Sequence, residues 1–429
     1  MFQTNSTTSA ASSTANLKTL ARIAPQIPLG AVYDVLPGGD DGTDDTAPLP
    51  VQKTLTDLVP SAKKLCGKRV KIESSGFVRL PDGELVPIPD AQPDADGNFI
   101  FEPRHGGISA ARNERRGGRY WKRVIEAAQF GQVNAYFHAS RLAAYASELL
   151  DEIGASQLPP LRILTNAHSG YDPATGQFNP DRVLDGGHYR MRARHYEPFE
   201  ETEIHLSGEV HLGGGRFYLK WGLPPELGAS RTRRLDGQPY LHQTSHNPAI
   251  IYHEYAHHIV RHTADFRCNN QRLPRKQSNA KCWLDEGTCD YFTAAMLGHG
   301  GIYRWHRAGL SPAHPLFRSL EPGRTIAKFD SSPHPDPHFN GTIWATILWR
   351  LRRRLVEIEG VDEREFDRIV LQTLLLIGET GKPNPANSRV IRRENMRERT
   401  SLENALRCLQ QVMRNYGANC VKGEIKNGT

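Results

Sequence analysis

The chain has 429 residues, with 54 Lys and Arg against 47 Asp and Glu, a formal charge of +7, and 38% hydrophobic residues. That length and apolar content suit two or three globular domains with a sizeable core and exclude a globally disordered chain. The 38 Gly and 29 Pro lack the every-third-residue period of collagen, and no run approaches the ~18 consecutive apolar residues of a membrane span. The mild basic excess favours acidic partners or surfaces and says nothing about fold.

Residues 1–60 are Ser/Thr/Ala-rich and then Asp/Gly/Pro-rich (PGGDDGTDDTAPLP), the composition of a flexible leader or linker. The opening residues have no basic start followed by an apolar run and do not read as a secretory signal, which leaves the compartment open. Calcium has no support, because neither the acidic tract nor PDADGN at 93–98 has the spacing of an EF-hand loop. Residues 61–115 alternate short apolar runs with Pro/Asp/Gly turns and predict a small β-rich module, read alternatively as a prosegment remnant.

Residues 116–266 form the next unit. Arg119 to Ile153 reads as helix with a break near Gly131. LRILTNA, HYRMRARHY, EIHLSGEVHL and RFYLKW then read as strands. In the third, Ile204, Leu206, Val210 and Leu212 alternate with Glu203, His205, Ser207, Glu209 and His211. Such one-sided strands predict an antiparallel sheet with a solvated face carrying His205 and His211, and an exposed edge within Glu203 to Trp221. From Asn247 the pattern turns helical, over Asn247–Phe266 and then, within the unit 267–429, Leu284–Leu297, Thr342–Ile358, Glu363–Gly378 and Ser401–Tyr416. Thr400 and Glu403 are spaced as a capping box for the last helix. Sheet first and helices second predict an α+β, two-lobed arrangement with the helix of residues 247–266 between the lobes. Six cysteines are too few for a disulfide scaffold, though Cys268 with Cys282 and Cys408 with Cys420 are candidate bridges.

Within AIIYHEYAHHIV, His253 and His257 stand four residues apart with Glu254 between them. On a helix they share a face, so two imidazoles can grip one metal ion while Glu254 reaches a metal-bound water. Ile250, Ile251, Ile259 and Val260 mark the helix as buried, where unligated histidines would need other partners. His258 and His262, also four apart but without an intervening Glu, are expected on its solvent side. A third His six residues after His257 is missing, since Thr263 holds that place and His262 is one position off. KCWLDEGTCDYF offers instead Glu286 as a carboxylate ligand and Asp290, one turn later, to orient a ligand histidine. The alternative for Glu286 is a charge that, together with Asp285, complements the helix N-terminus.

With HEYAH, DEGTCD and PHFNGTIWATILW the chain resembles the gluzincin metallopeptidases, closest to the fungalysin group and more distantly to thermolysin-like enzymes. VNAYFHASRLAAY is similar to the helix that precedes the catalytic sheet in that family, so the likeness runs from about Val133 to Arg350. The resemblance implies a two-lobed zincin fold and one catalytic zinc on His253, His257 and Glu286. It implies Asp290 as support for a ligand histidine, Glu254 as general base, and His338 as the oxyanion-stabilising histidine, with His334 as its rival. Peptide or protein would be the substrate, and secretion is implied by resemblance only. The Gly287-Thr288-Cys289 filler and the missing Asn-Ala-aromatic strand depart from the family pattern.

Two other classes remain as alternatives: a zinc hydrolase of a non-peptide amide, and an inactive zincin-like binding module. Nucleic acid is disfavoured. RRGGRYWKR at 115–123 and RTRR at 231–234 flank turns without a groove motif, and Arg350 to Arg354 lie on an amphipathic helix with Leu348, Leu351 and Leu355 inward.

Overall fold

A computed structural model describes residues 27–34, 49–79, 84–103, 119–167, 171–172, 177–178, 186–191, 208–213, 244–266, 283–302, 318–332, 335–380 and 400–427. Strands β1 (Leu29–Val32) and β2 (Val51–Thr54) pair antiparallel, and Val32 and Leu55 are fully buried. Part of the stretch expected as a leader therefore belongs to the core. From the expected separate module, β3 (Val70–Ser74) joins the main sheet, while β4 (Phe77–Arg79) and β5 (Leu85–Pro87) pair with each other. In PDADGN, Asp94 accepts the backbone N–H groups of Asp96 and Asn98 and closes a turn.

Helix α1 (Arg119–Glu152) runs unbroken through Gly131. A Cβ at Gly131 would lie 2.4 Å from Ser245 Oγ, so the glycine admits a neighbouring turn and does not end the helix. Strands β6 (Leu161–Ala167), β7 (Tyr171–Asp172), β8 (Gln177–Phe178), β9 (Gly187–Met191) and β10 (Gly208–Gly213) follow. The main sheet has the order β3-β6-β10-β9. Its β3–β6 and β6–β10 pairs are parallel and only β10–β9 is antiparallel.

The expected antiparallel sheet is thus a mixed one, because α1 lies between β3 and β6 in the chain and returns it in the same direction. β10 is interior to that sheet, and the predicted solvated face is not found there. Glu209 is 6% and His211 2% exposed, Glu209 bonding Arg162 at 3.0 Å and His211 at 2.5 Å. The outer strands of the described sheet are β3 and β9, and of the edge expected within Glu203 to Trp221 only residues 208–213 are described. His205 and RFYLKW lie outside the described residues.

Five further α-helices lie among the described residues: α2 (Pro248–His262), α3 (Trp283–Leu297), α4 (Pro337–Glu359), α5 (Glu363–Glu379) and α6 (Leu402–Asn427). Side chains close their open N–H groups: Asn247 accepts from Ala249, Asp336 from His338 and Asp362 from Arg364. α6 is capped by Ser401, whose Oγ accepts the Asn404 N–H at 3.1 Å, one residue later than the expected box. Cys408 is a buried thiol that donates to Asn404 Oδ1 at 3.8 Å. Cys420 stands twelve residues on in the same helix, about 18 Å away at ~1.5 Å per residue, beyond the reach of a disulfide. Cys268 and Cys282 lie outside the described residues.

Arg352, expected on a solvated face, turns inward. Its Nε donates to Asp367 at 3.1 Å, and Asp367 also receives the hydroxyls of Tyr145 and Tyr291. This buried cluster joins α1, α3, α4 and α5, and one continuous core includes Val32, Phe99, Tyr136, Ile163, Tyr255, Leu284, Trp344 and Leu374. The architecture is mixed α and β, and no helix among the described residues is long and apolar enough to cross a membrane.

Candidate metal centre

Asn247 caps α2 and Pro248 opens it, and residues 248–261 are all buried. A helix buried all round must find a partner for each polar side chain it carries. His253 and His257 face α3. His253 Nδ1 donates to Asp290 Oδ1 at 3.0 Å and His257 Nδ1 to Asp285 Oδ1 at 2.8 Å. Their other nitrogens converge on one atom, Glu286 Oε2, at 3.1 Å from His253 Nε2 and 3.5 Å from His257 Nε2. Glu286 thus lies within 3.5 Å of a nitrogen of both His253 and His257, and Asp290 is bonded to His253.

His338 reaches the same atom from α4. Its Nε2 lies 3.2 Å from Glu286 Oε2 while its Nδ1 donates to Asp336 at 2.9 Å. The approach depends on glycine. A Cβ at Gly287 would meet the Gly341 carbonyl oxygen at 2.2 Å, and one at Gly341 would meet the Gly287 nitrogen at 2.8 Å, so α3 and α4 touch backbone to backbone. Trp344 Nε1 adds a bond to Thr288 Oγ1 at 3.1 Å. His334 lies outside the described residues.

Glu254 is buried, and its Oε2 has no hydrogen-bond partner among the described residues. A buried carboxylate oxygen left in that state is one that a bound water or ligand would satisfy. Strand β9 closes over it at Gly187, where a Cβ would lie 2.6 Å from Glu254 Cγ.

The charges are unevenly balanced. Burial would raise the Glu286 carboxyl, yet His257, His253 and His338 together hold it well below the usual carboxylate range. Burial opposes a charged His257, but Cys289, Asp285 and Glu286 outweigh it and hold its pKa well above the ordinary imidazole value. The bond from His338 takes Asp336 down to about 2. Cys289 Sγ lies 3.2 Å from His257 Nδ1, and burial pushes the thiol up.

Such a donor set fits a divalent metal ion. Ligand atoms of His253, Glu286 and His338, and separately of His253, His257 and Cys289, lie within 4.8 Å of one another. Two contributors, Asp285 and Arg318, were not anticipated. Asp285 bonds His257, and Arg318 comes within 3.2 Å of Asp290. Cys289 packs against His257. Adjacency to Glu286 was the one signal for Asp285, and Arg318 had none. His258, expected at the solvent side, is fully buried and donates from Nε2 to the Pro159 carbonyl at 2.8 Å.

No protein-family model matches the chain, and no curated protein matches its sequence.

Proposed function

We propose that the protein is a zinc-dependent metallopeptidase of the gluzincin, fungalysin-like type, its two lobes meeting at α2. The observation that carries this reading is the convergence of His253, His257 and Glu286 beside a buried Glu254 carboxylate oxygen without a partner. A purely structural metal site has no need of that base.

Zinc held by His253, His257 and Glu286 would supply a water of lowered pKa and a Lewis acid for the scissile carbonyl. Asp290 and Asp285 fix the rotation of the two imidazoles, each accepting the Nδ1–H so that the Nε2 lone pair is the one turned toward an ion. Glu254 takes the proton of the attacking water and returns it to the leaving amine. His338, oriented by Asp336, donates from Nε2 to the developing oxyanion, worth ~3 kcal/mol in comparable sites. β9, which lies over Glu254, offers its outer edge to an extended peptide.

The test is cleavage of unfolded casein by zinc-loaded protein, beside Glu254→Gln at equal zinc content. Loss of a general base lowers the rate by ~10²–10⁴. Equal rates would refute the role of Glu254, and zinc-loaded protein inert toward casein would redirect the search to non-peptide amides.

A further inference from the structure

Glu254 sits under bare main chain. Strand β9 passes over α2, and a Cβ at Gly187 would lie 2.6 Å from Glu254 Cγ, 2.9 Å from Oε1 and 3.0 Å from Cδ. Ordinary contacts begin near 3.4 Å, so any side chain at Gly187 would force a shift of most of an ångström. The φ of Gly187 is not positive, so the contact alone demands glycine there. The preceding residue supplies the contrast: a Cβ at Gly186 would meet nothing within 4 Å.

The strand is the stiffer partner in this contact. Gly187 pairs with Leu212 and His188 with His211 across the β9–β10 ladder, and the Gly213 N–H donates to the Gly186 carbonyl at 3.0 Å. On the other side, Glu254 is carried by a helix buried throughout residues 248–261. With strand and helix both held, the Glu254 side chain is the part that would give. Its Oε2 has no hydrogen-bond partner among the described residues, so no bond holds that oxygen in place against a push.

We infer that Gly187 is a positioning residue for Glu254: the bare main chain of β9 is the stop against which the side chain rests, and it fixes where the carboxylate stands. For its catalytic consequence this rests on the metallopeptidase reading; the packing of Gly187 on Glu254 does not.

The experiment compares Gly187→Ala, Gly186→Ala and the double variant Gly187→Ala with Glu254→Ala, all in the full chain, by zinc content, casein hydrolysis and urea unfolding. Gly187→Ala should keep its zinc, because Glu254 is not among the three ligands. Its KM should hold while kcat falls by about 10²-fold, the cost of misplacing a catalytic group by about 1 Å. Gly186→Ala should match the unmutated chain in all three measurements. In urea, Gly187→Ala should lower the unfolding midpoint, and the same substitution made in Glu254→Ala, where the opposing Cγ is gone, should not. An unchanged kcat in an active Gly187→Ala, or an equal fall in midpoint in both backgrounds, would overturn the inference. If Gly187→Ala does not fold, the double variant should, and its failure too would overturn the inference. Casein left intact even by the unmutated chain would sink the peptidase reading, while the urea comparison still decides whether Gly187 sets Glu254.

Discussion

His257 and His258 are neighbours on α2, both buried, and they live in opposite chemical worlds. His258 donates to the Pro159 carbonyl and receives the Tyr189 hydroxyl, and burial brings its pKa down to about 4. His138 and His246 are built alike. Each donates from Nε2 to a backbone carbonyl, of Tyr33 and Ala127 respectively, and burial takes each down to about 3. On the α3 side of α2, by contrast, His253 and His257 each meet a carboxylate at both ring nitrogens. Burial is common to both regions. What sets the α3 side apart as able to hold a metal is a carboxylate behind each imidazole and a second donor in front of it.

The sharpest break of that comparison replaces the two neighbours one at a time. After dialysis, His257→Ala should retain no zinc by atomic emission, whereas His258→Ala should keep its zinc and lose only stability. Zinc kept by His257→Ala would remove that residue from the ligand set. The Asp367 cluster offers the next largest effect, at a distance from the metal. Asp367→Ala removes the buried partner of the Arg352 guanidinium and leaves it only the exposed Glu363, so urea unfolding should show a loss of about 3 kcal/mol with zinc content unchanged. A smaller effect is expected at Asp285→Asn, which keeps shape but weakens the hold on His257. Its zinc affinity should fall by ~10–100-fold in chelator competition, and unchanged affinity would make Asp285 a bystander.

Acid separates the two kinds of histidine with the mildest perturbation. His138, His246 and His258 have folded pKa values below their unfolded one, so the unfolded chain binds more protons and stability falls as pH drops below about 6.5. The loss is at most about 1.4 kcal/mol per pH unit for each. His257 has the reverse shift in the metal-free protein. A proton must leave it for metal to bind, so zinc affinity should climb with pH and proton release should accompany uptake. Calorimetric titration in two buffers measures that release; its absence would contradict the geometry at His257.

Much of this was legible in short-range pattern. HEYAH put two imidazoles on one helical face, DEGTCD put Glu286 and Asp290 on the next, and LRILTNA is β6 residue for residue. These follow from periodicity, which local sequence carries. Long-range pairings were not legible. Strand order depends on where α1 sends the chain, and the burial of Glu209 and His211 follows from that order. Arg352 looked like any arginine on a polar helix face until Asp367 met it from α5. Gly131 looked like a helix breaker because a missing side chain reads the same whether it loosens a helix or admits a neighbour.

The main-chain contact between Gly287 and Gly341 bears on the order of assembly. Helix α2 supplies His253 and His257 and α3 supplies Glu286, but α4 seats His338 only once its first turn has docked on α3. During synthesis His253, His257 and Glu286 emerge before that docking is achievable, so the cluster around Glu286 Oε2 is complete only when α3 and α4 have come together.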